Sequence, residues 1–173
     1  ESDARFTTSL TTFGNQTQDE VNRLLLRQLR AGLLPFMLEL DPSLEDAPLL
    51  LAELADNPAK AAQTTQWLSS LPPTAPIHAA IGSLYLKSGN RAVASENFEK
   101  AIEIDPNSSP GYAGRFQVLL AQGNQEEAIE AFAKAAEVAD PRSGIRLRYV
   151  QYLQQSQGDE AARDALDEIL SAA

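Results

Sequence analysis

A set of apolar residues recurs at an interval of 34 positions in the second half of the chain. The second set repeats the residue types of the first, and the third differs from it at two positions. The three sets are Ala94, Phe98 and Ala101; Ala128, Phe132 and Ala135; and Ala162, Leu166 and Ile169. A repeat of this length is typical of arrays in which each unit buries its apolar face only by stacking on its neighbours. The chain is therefore predicted to fold as a stacked array.

Each unit also contains a glycine between two helical patterns. These turns are Gly89-Asn90, Gly123-Asn124 and Gly158-Asp159. Glycine readily adopts the left-handed backbone conformation that ends a helix. Each unit is therefore predicted to consist of two antiparallel helices joined by a tight turn.

The first unit resembles a tetratricopeptide repeat. It carries Ile81-Gly82, Tyr85, Ala94, Phe98 and Pro106 at the offsets of the family pattern, with His78 in place of the leading tryptophan. Three repeats are expected, starting near residues 75, 109 and 143. The resemblance implies an all-α fold over residues 75–173, in which antiparallel helix pairs form a right-handed superhelix, or α-solenoid.

The segment 41–74 retains helical patterns but lacks the motif. Pro48 stands where the glycine would be, and Lys60 stands where the alanine would be. We interpret this segment as a degenerate or capping helix pair that precedes the repeats.

The first 40 residues follow a different pattern. Arg5–Phe13 alternates as a short β-strand would. Thr17-Gln18-Asp19-Glu20 has the form of a capping box, which predicts an amphipathic helix from Gln18. The sequence thus divides into an N-terminal part (1–40), a helix pair (41–74) and three repeats (75–173).

The composition argues against several classes of function. The chain carries 24 acidic and 14 basic residues, a net charge of −10, so phosphate backbones would repel it and nucleic-acid binding is not expected. No apolar run approaches the roughly 20 residues of a membrane span. The chain begins with Glu1, and its compartment stays open: cytoplasmic, or periplasmic or secreted if a signal peptide was removed.

Reactive side chains are few. The chain has no cysteine and one histidine, so no metal site and no cofactor are expected. We interpret His78 as filling the large-residue anchor position of the first repeat. No catalytic motif is present, and we predict that the chain is not an enzyme.

The resemblance implies a binding surface. In tetratricopeptide arrays the first helix of each repeat lines a concave groove that binds peptides or partner helices. In this sequence the groove positions are those opposite the packing anchors. They are Ala79, Ser83, Leu86, Lys87, Ala113, Gln117, Leu120, Leu147, Arg148, Gln151 and Gln154. The cationic clamp with which one family subtype binds chaperone tails is absent except for Arg148.

The favoured interpretation is a protein–protein interaction module that holds a protein or peptide partner in this groove. A first alternative is an accessory region of a larger enzyme or assembly, because the strand-like Arg5–Phe13 could belong to a sheet outside this chain. A second alternative is a homo-oligomer, formed through the uncapped C-terminal helix at 159–171 or through the strand at 5–13.

Overall fold

The computed structural model of the protein describes residues 32–39, 46–141 and 143–171, and the fold of these residues is an all-α solenoid. Residues 32–39 are helical. The helices that follow are α1 (Asp46–Leu54), α2 (Pro58–Leu68), α3 (Ala75–Lys87), α4 (Arg91–Ile104), α5 (Ser109–Gln122), α6 (Gln125–Val138), α7 (Ile145–Gln157) and α8 (Asp159–Ser171). No strand occurs within these ranges. The predicted strand Arg5–Phe13 and the predicted helix from Gln18 lie outside the described residues.

Local sequence signals set the helix ends. Asn57, Thr74, Asn90 and Ser108 each precede a helix and accept a hydrogen bond from the backbone N–H three residues later. Three glycines with positive φ, at 83°, 86° and 98°, follow the first helices of the three C-terminal pairs; they are Gly89, Gly123 and Gly158. Because few other residues tolerate this conformation, these glycines fix where each pair turns.

The C-terminal helices pack as three hairpins, α3–α4, α5–α6 and α7–α8. Helix α5 also packs against both helices of the first hairpin, whereas α7 contacts mainly α6 and α8. The second helices start at Arg91, Gln125 and Asp159, exactly periodic at 34 residues, but α7 starts 36 residues after α5. The loop before α7 is accordingly longer than the loop before α5.

A single phenylalanine ring joins the first two hairpins. Phe98 is 1% exposed and lies in a cluster with Ala94 and Val118. A Cβ atom added at Gly82 would lie 2.7 Å from Phe98 Cε1, and one at Gly114 would lie closer still. Both glycines are therefore required for the close approach of α3, α4 and α5 around this ring.

Four aromatic rings join the second hairpin to the third. Phe116 stacks on Phe132 with ring centroids 4.2 Å apart, and it meets Tyr152 edge-on at 5.0 Å. Phe132 contacts Tyr149 edge-on at 5.5 Å. Phe116 occupies the position that Gly82 holds 34 residues earlier. The ring of Phe116 therefore fills a space in the second hairpin that Gly82 leaves free for close helix packing in the first.

The N-terminal helices form a core that continues into α3. Leu34 and Leu38 of the segment 32–39 are buried with Leu51, Leu68 and residues of α3 such as Ile77 and Leu84. The helices α1 and α2 thus lie next to the first hairpin. Whether 1–40, 41–74 and 75–173 are separate units stays a prediction.

We predict that Gly114→Ala lowers the free energy of unfolding by about 1–3 kcal/mol, the usual cost of overpacking a filled core. The added methyl group would overlap the ring of Phe98, which is 1% exposed. Urea unfolding followed by circular dichroism measures the change. Gly32→Ala is the matched control, because a Cβ at this exposed helical position meets no atom within 4 Å; an equal loss in both variants would contradict the packing argument.

Candidate functional site

Ala79, the first predicted groove residue of α3, lies inside the packed helices. Ala79 is completely buried in a cluster with Ala75 and Ala101, so the prediction that it lines an open groove is corrected by its position in the core. Leu86 is half-buried and packs against the cluster of Phe98 and Val118. Because Ala101 belongs to α4, these small residues bring together the two helices of the first hairpin.

Two further predicted groove residues of α3 are engaged within the protein. The Ser83 hydroxyl donates to the carbonyl oxygen of Ala79 at 3.0 Å. The Lys87 ammonium group donates to the carbonyl oxygen of Ala52, near the C-terminal end of α1, at 2.6 Å. A cation is favourable there because the carbonyls of the last helical turn carry partial negative charge. Lys87 therefore ties α3 to α1.

A cavity of about 270 Å³ lies between α5 and α7. Four of the predicted groove residues line it: Ala113, Gln117, Arg148 and Gln151. The structure adds four lining residues that were not predicted: Phe116, Phe132, Tyr152 and Gln155. We call this space the α5–α7 cavity. It brings together side chains from the second and third hairpins, which are distant in sequence.

The α5–α7 cavity has an aromatic lining and polar side chains at its edge. Phe116 and Phe132 are buried, whereas Gln117, Arg148 and Gln151 are exposed. Among the residues that the structure describes, Arg148 makes no ion pair and the amides of Gln117 and Gln151 make no hydrogen bond. These donors and acceptors are available to a ligand.

The remaining predicted residues lie outside the cavity. Leu120 is 41% exposed and follows Gln117 by three positions, which places both residues on the same side of α5. Leu147 is 62% exposed but does not line the cavity. The Gln154 amide donates to Asp159 Oδ1 at 2.9 Å, so this side chain points toward the start of α8.

Some of the lining residues that were not predicted could have been identified from the sequence. Gln155 follows Gln151 by four positions, and helical spacing alone could have placed it on the same face. Phe132 and Tyr152 are different, because a large residue at a packing position is expected to be wholly internal. They reach the cavity because the aromatic rings hold α5 and α7 apart.

Two polar groups within the helix array have structural roles. His78 Nδ1 lies 3.2 Å from Asn97 Oδ1, and the Asn97 amide donates to the Val93 carbonyl at 2.8 Å. The orientation of Asn97 thus makes His78 Nδ1 the donor.

Burial, together with the negative charge of Glu168, raises the pKa of Tyr149 and keeps its phenol neutral.

Metal and membrane signals are absent from the described ranges. No group of three or more His, Cys, Asp or Glu residues in 32–39, 46–141 and 143–171 is placed to hold a metal ion. Over the same residues, none of the helices combines the length and the apolar character needed to cross a bilayer.

Comparisons with known proteins identify the repeat. Two family models described as tetratricopeptide repeat match residues 75–108 and residues 97–130. The second match is offset from the hairpins, since it starts within α4 and ends within α6. A search of curated proteins finds no significant match.

Solved structures agree on the fold. A structure titled "Crystal structure of MamA" is 16% identical, covers 82% of this chain and 85% of its own, and has a TM-score of 0.53. A second, titled "Crystal structure of MamA protein", is 15% identical, covers 89% and 86%, and has a TM-score of 0.52. At this identity the likeness concerns the fold alone. The family matches, and not this likeness, identify tetratricopeptide repeats within residues 75–130.

Proposed function

We propose that the protein is an interaction module that binds a peptide or helix of a protein partner on the groove side of its first helices. One observation carries the proposal: side chains from two successive repeats converge on the α5–α7 cavity, where an aromatic surface adjoins polar groups that the fold leaves unused. Tetratricopeptide repeats typically serve as protein-interaction scaffolds, which supports this function.

The chemistry of the cavity suggests how a partner would bind. A volume of about 270 Å³ is below the usual range of roughly 300–1,000 Å³ for pockets that enclose a small molecule. We propose that it takes one apolar side chain of the partner against the rings of Phe116 and Tyr152. The amides of Gln117 and Gln151 would then hydrogen-bond the partner's backbone, and Arg148 would favour a nearby acidic group.

We also propose that the chain has no catalytic activity of its own and does not bind nucleic acid. The contacts of the only histidine support the first statement, because His78 lies 3.2 Å from the amide oxygen of Asn97. The net charge of −10 supports the second. An accessory role in a larger enzyme rests on Arg5–Phe13, which lies outside the described residues.

We predict that Leu120→Glu abolishes capture of the partner from a native lysate. A carboxylate at this partly exposed position of α5 remains hydrated in the free protein, but it would lose its water beneath a bound partner. Circular dichroism should show unchanged helicity, because the leucine is already 41% exposed. Unchanged capture would contradict the proposal that this face binds the partner.

A second variant addresses the cavity itself. We predict that Gln151→Trp reduces capture at least about tenfold, the effect expected when an anchor site is filled by a bulky ring. Gln125→Trp, at the exposed first residue of α6 and not in the cavity lining, provides the matched control. If both tryptophan variants capture the partner equally well, the cavity is not the anchor site.

A further inference from the structure

Helix α7 contributes a single line of side chains to the α5–α7 cavity. Four of the eight lining residues belong to this helix: Arg148, Gln151, Tyr152 and Gln155. They follow one another at i, i+3, i+4 and i+7, which is the spacing of one helix face. At a rise of 1.5 Å per residue, this face extends over about 10 Å of the helix axis. The cavity therefore presents a partner with an elongated surface that runs along α7.

Three amide side chains of this surface have no partner within the protein. Gln117, Gln151 and Gln155 are exposed, and their amides make no hydrogen bond within residues 32–39, 46–141 and 143–171. A partner that covers them would remove these amides from water. Since an amide buried without a hydrogen bond destabilises a complex, the bound segment must supply donors and acceptors at these positions.

The main chain of an extended segment meets this requirement, whereas that of a helix does not. Inside a helix, each N–H is already bonded to the carbonyl oxygen four residues earlier. An extended segment keeps its N–H and carbonyl groups free, and two of its residues span about 6.6–6.8 Å. Gln151 and Gln155 are four helical residues apart, which is about 6 Å along α7. The two amides are therefore spaced to bond the main chain at positions i and i+2.

The same interval separates the cation of the cavity from an aromatic ring. Arg148 precedes Tyr152 by four positions, again about 6 Å along the helix axis. Arg148 is exposed and makes no ion pair with the described residues. The ring of Tyr152 packs edge-on against Phe116. An acidic side chain at Arg148 and an apolar side chain at Tyr152 are thus best matched when they are two positions apart in an extended partner.

We propose that the α5–α7 cavity binds an extended peptide segment in which one residue of any type separates an acidic residue from an apolar one. This inference rests on the proposed function and specifies the class of partner segment that the cavity selects. Gln151 and Gln155 bind the main chain of the segment. Arg148 pairs with its acidic side chain, and the apolar side chain lies against the ring of Tyr152. Because the amides bind the main chain, the residue between the two side chains is free to vary.

Peptide selection on the full chain tests the spacing. The probe is a phage-displayed library of random dodecapeptides, counter-selected against Gln151→Trp so that only peptides that need the cavity are kept. We expect the selected sequences to share an acidic and an apolar residue separated by one position. Adding or deleting one residue between them should weaken binding at least about tenfold, as measured by fluorescence polarisation.

N-methylation of a selected peptide, one residue at a time, tests the extended conformation. Each methyl group removes one main-chain donor, and alternate residues of an extended chain face the same side. Affinity should therefore fall at alternate positions only, by about two- to tenfold, the range expected for one neutral hydrogen bond. A helical peptide would lose affinity at consecutive positions, because methylation removes its internal hydrogen bonds.

Charge reversal tests the pairing with Arg148. Arg148→Glu should weaken binding of the selected peptide about three- to tenfold, and replacing the acidic residue of the peptide by lysine should restore it. Arg115→Glu is the matched control, because this exposed arginine of α5 does not line the cavity. Binding to the control variant should be unchanged.

The other outcomes overturn the inference. Peptides that need the cavity but lack the spacing, or that lose affinity at consecutive methylated positions, would exclude this class of partner and leave the proposed function in place. Equal effects of Arg148→Glu and Arg115→Glu would exclude the ion pair. If no selected peptide distinguishes the wild-type chain from Gln151→Trp, the proposed function fails together with the inference.

Discussion

The spacing between successive first helices depends on what fills the space between them. Between α3 and α5 the filler is the ring of Phe98, accommodated by glycine at positions 82 and 114. Between α5 and α7 the fillers are four stacked or edge-on rings, beginning with Phe116 where the first repeat has a glycine. Helices α3 and α5 are in direct contact, whereas an open cavity lies between α5 and α7.

This difference determines the candidate binding site. Equivalent positions in successive repeats have different outcomes: Ala79 is completely buried, Ala113 lines the α5–α7 cavity, and Leu147 is 62% exposed. A short array with a cavity between α5 and α7 would hold its partner mainly across the second and third repeats. The hydrogen bond from Lys87 to the carbonyl oxygen of Ala52 stabilises the junction between α3 and α1. Arg148, by contrast, makes no ion pair with any of the described residues.

The proposed binding surface combines residues of the second and third hairpins. The cavity carries polar groups beside an aromatic floor, which suits a peptide segment.

The sequence by itself determined the helical hairpins, because the glycine turns, the capping residues and the 34-residue spacing are local or periodic signals. It predicted the all-α solenoid, which the structure and the family matches confirm. Only the tertiary structure decided which groove positions remain accessible. The burial of Ala79, the turn of Gln154 toward Asp159 and the appearance of Phe132 and Tyr152 in a cavity all depend on the distance between neighbouring helices. Because that distance depends on how side chains from three or more helices pack, it cannot be read from the helical periodicity of one segment.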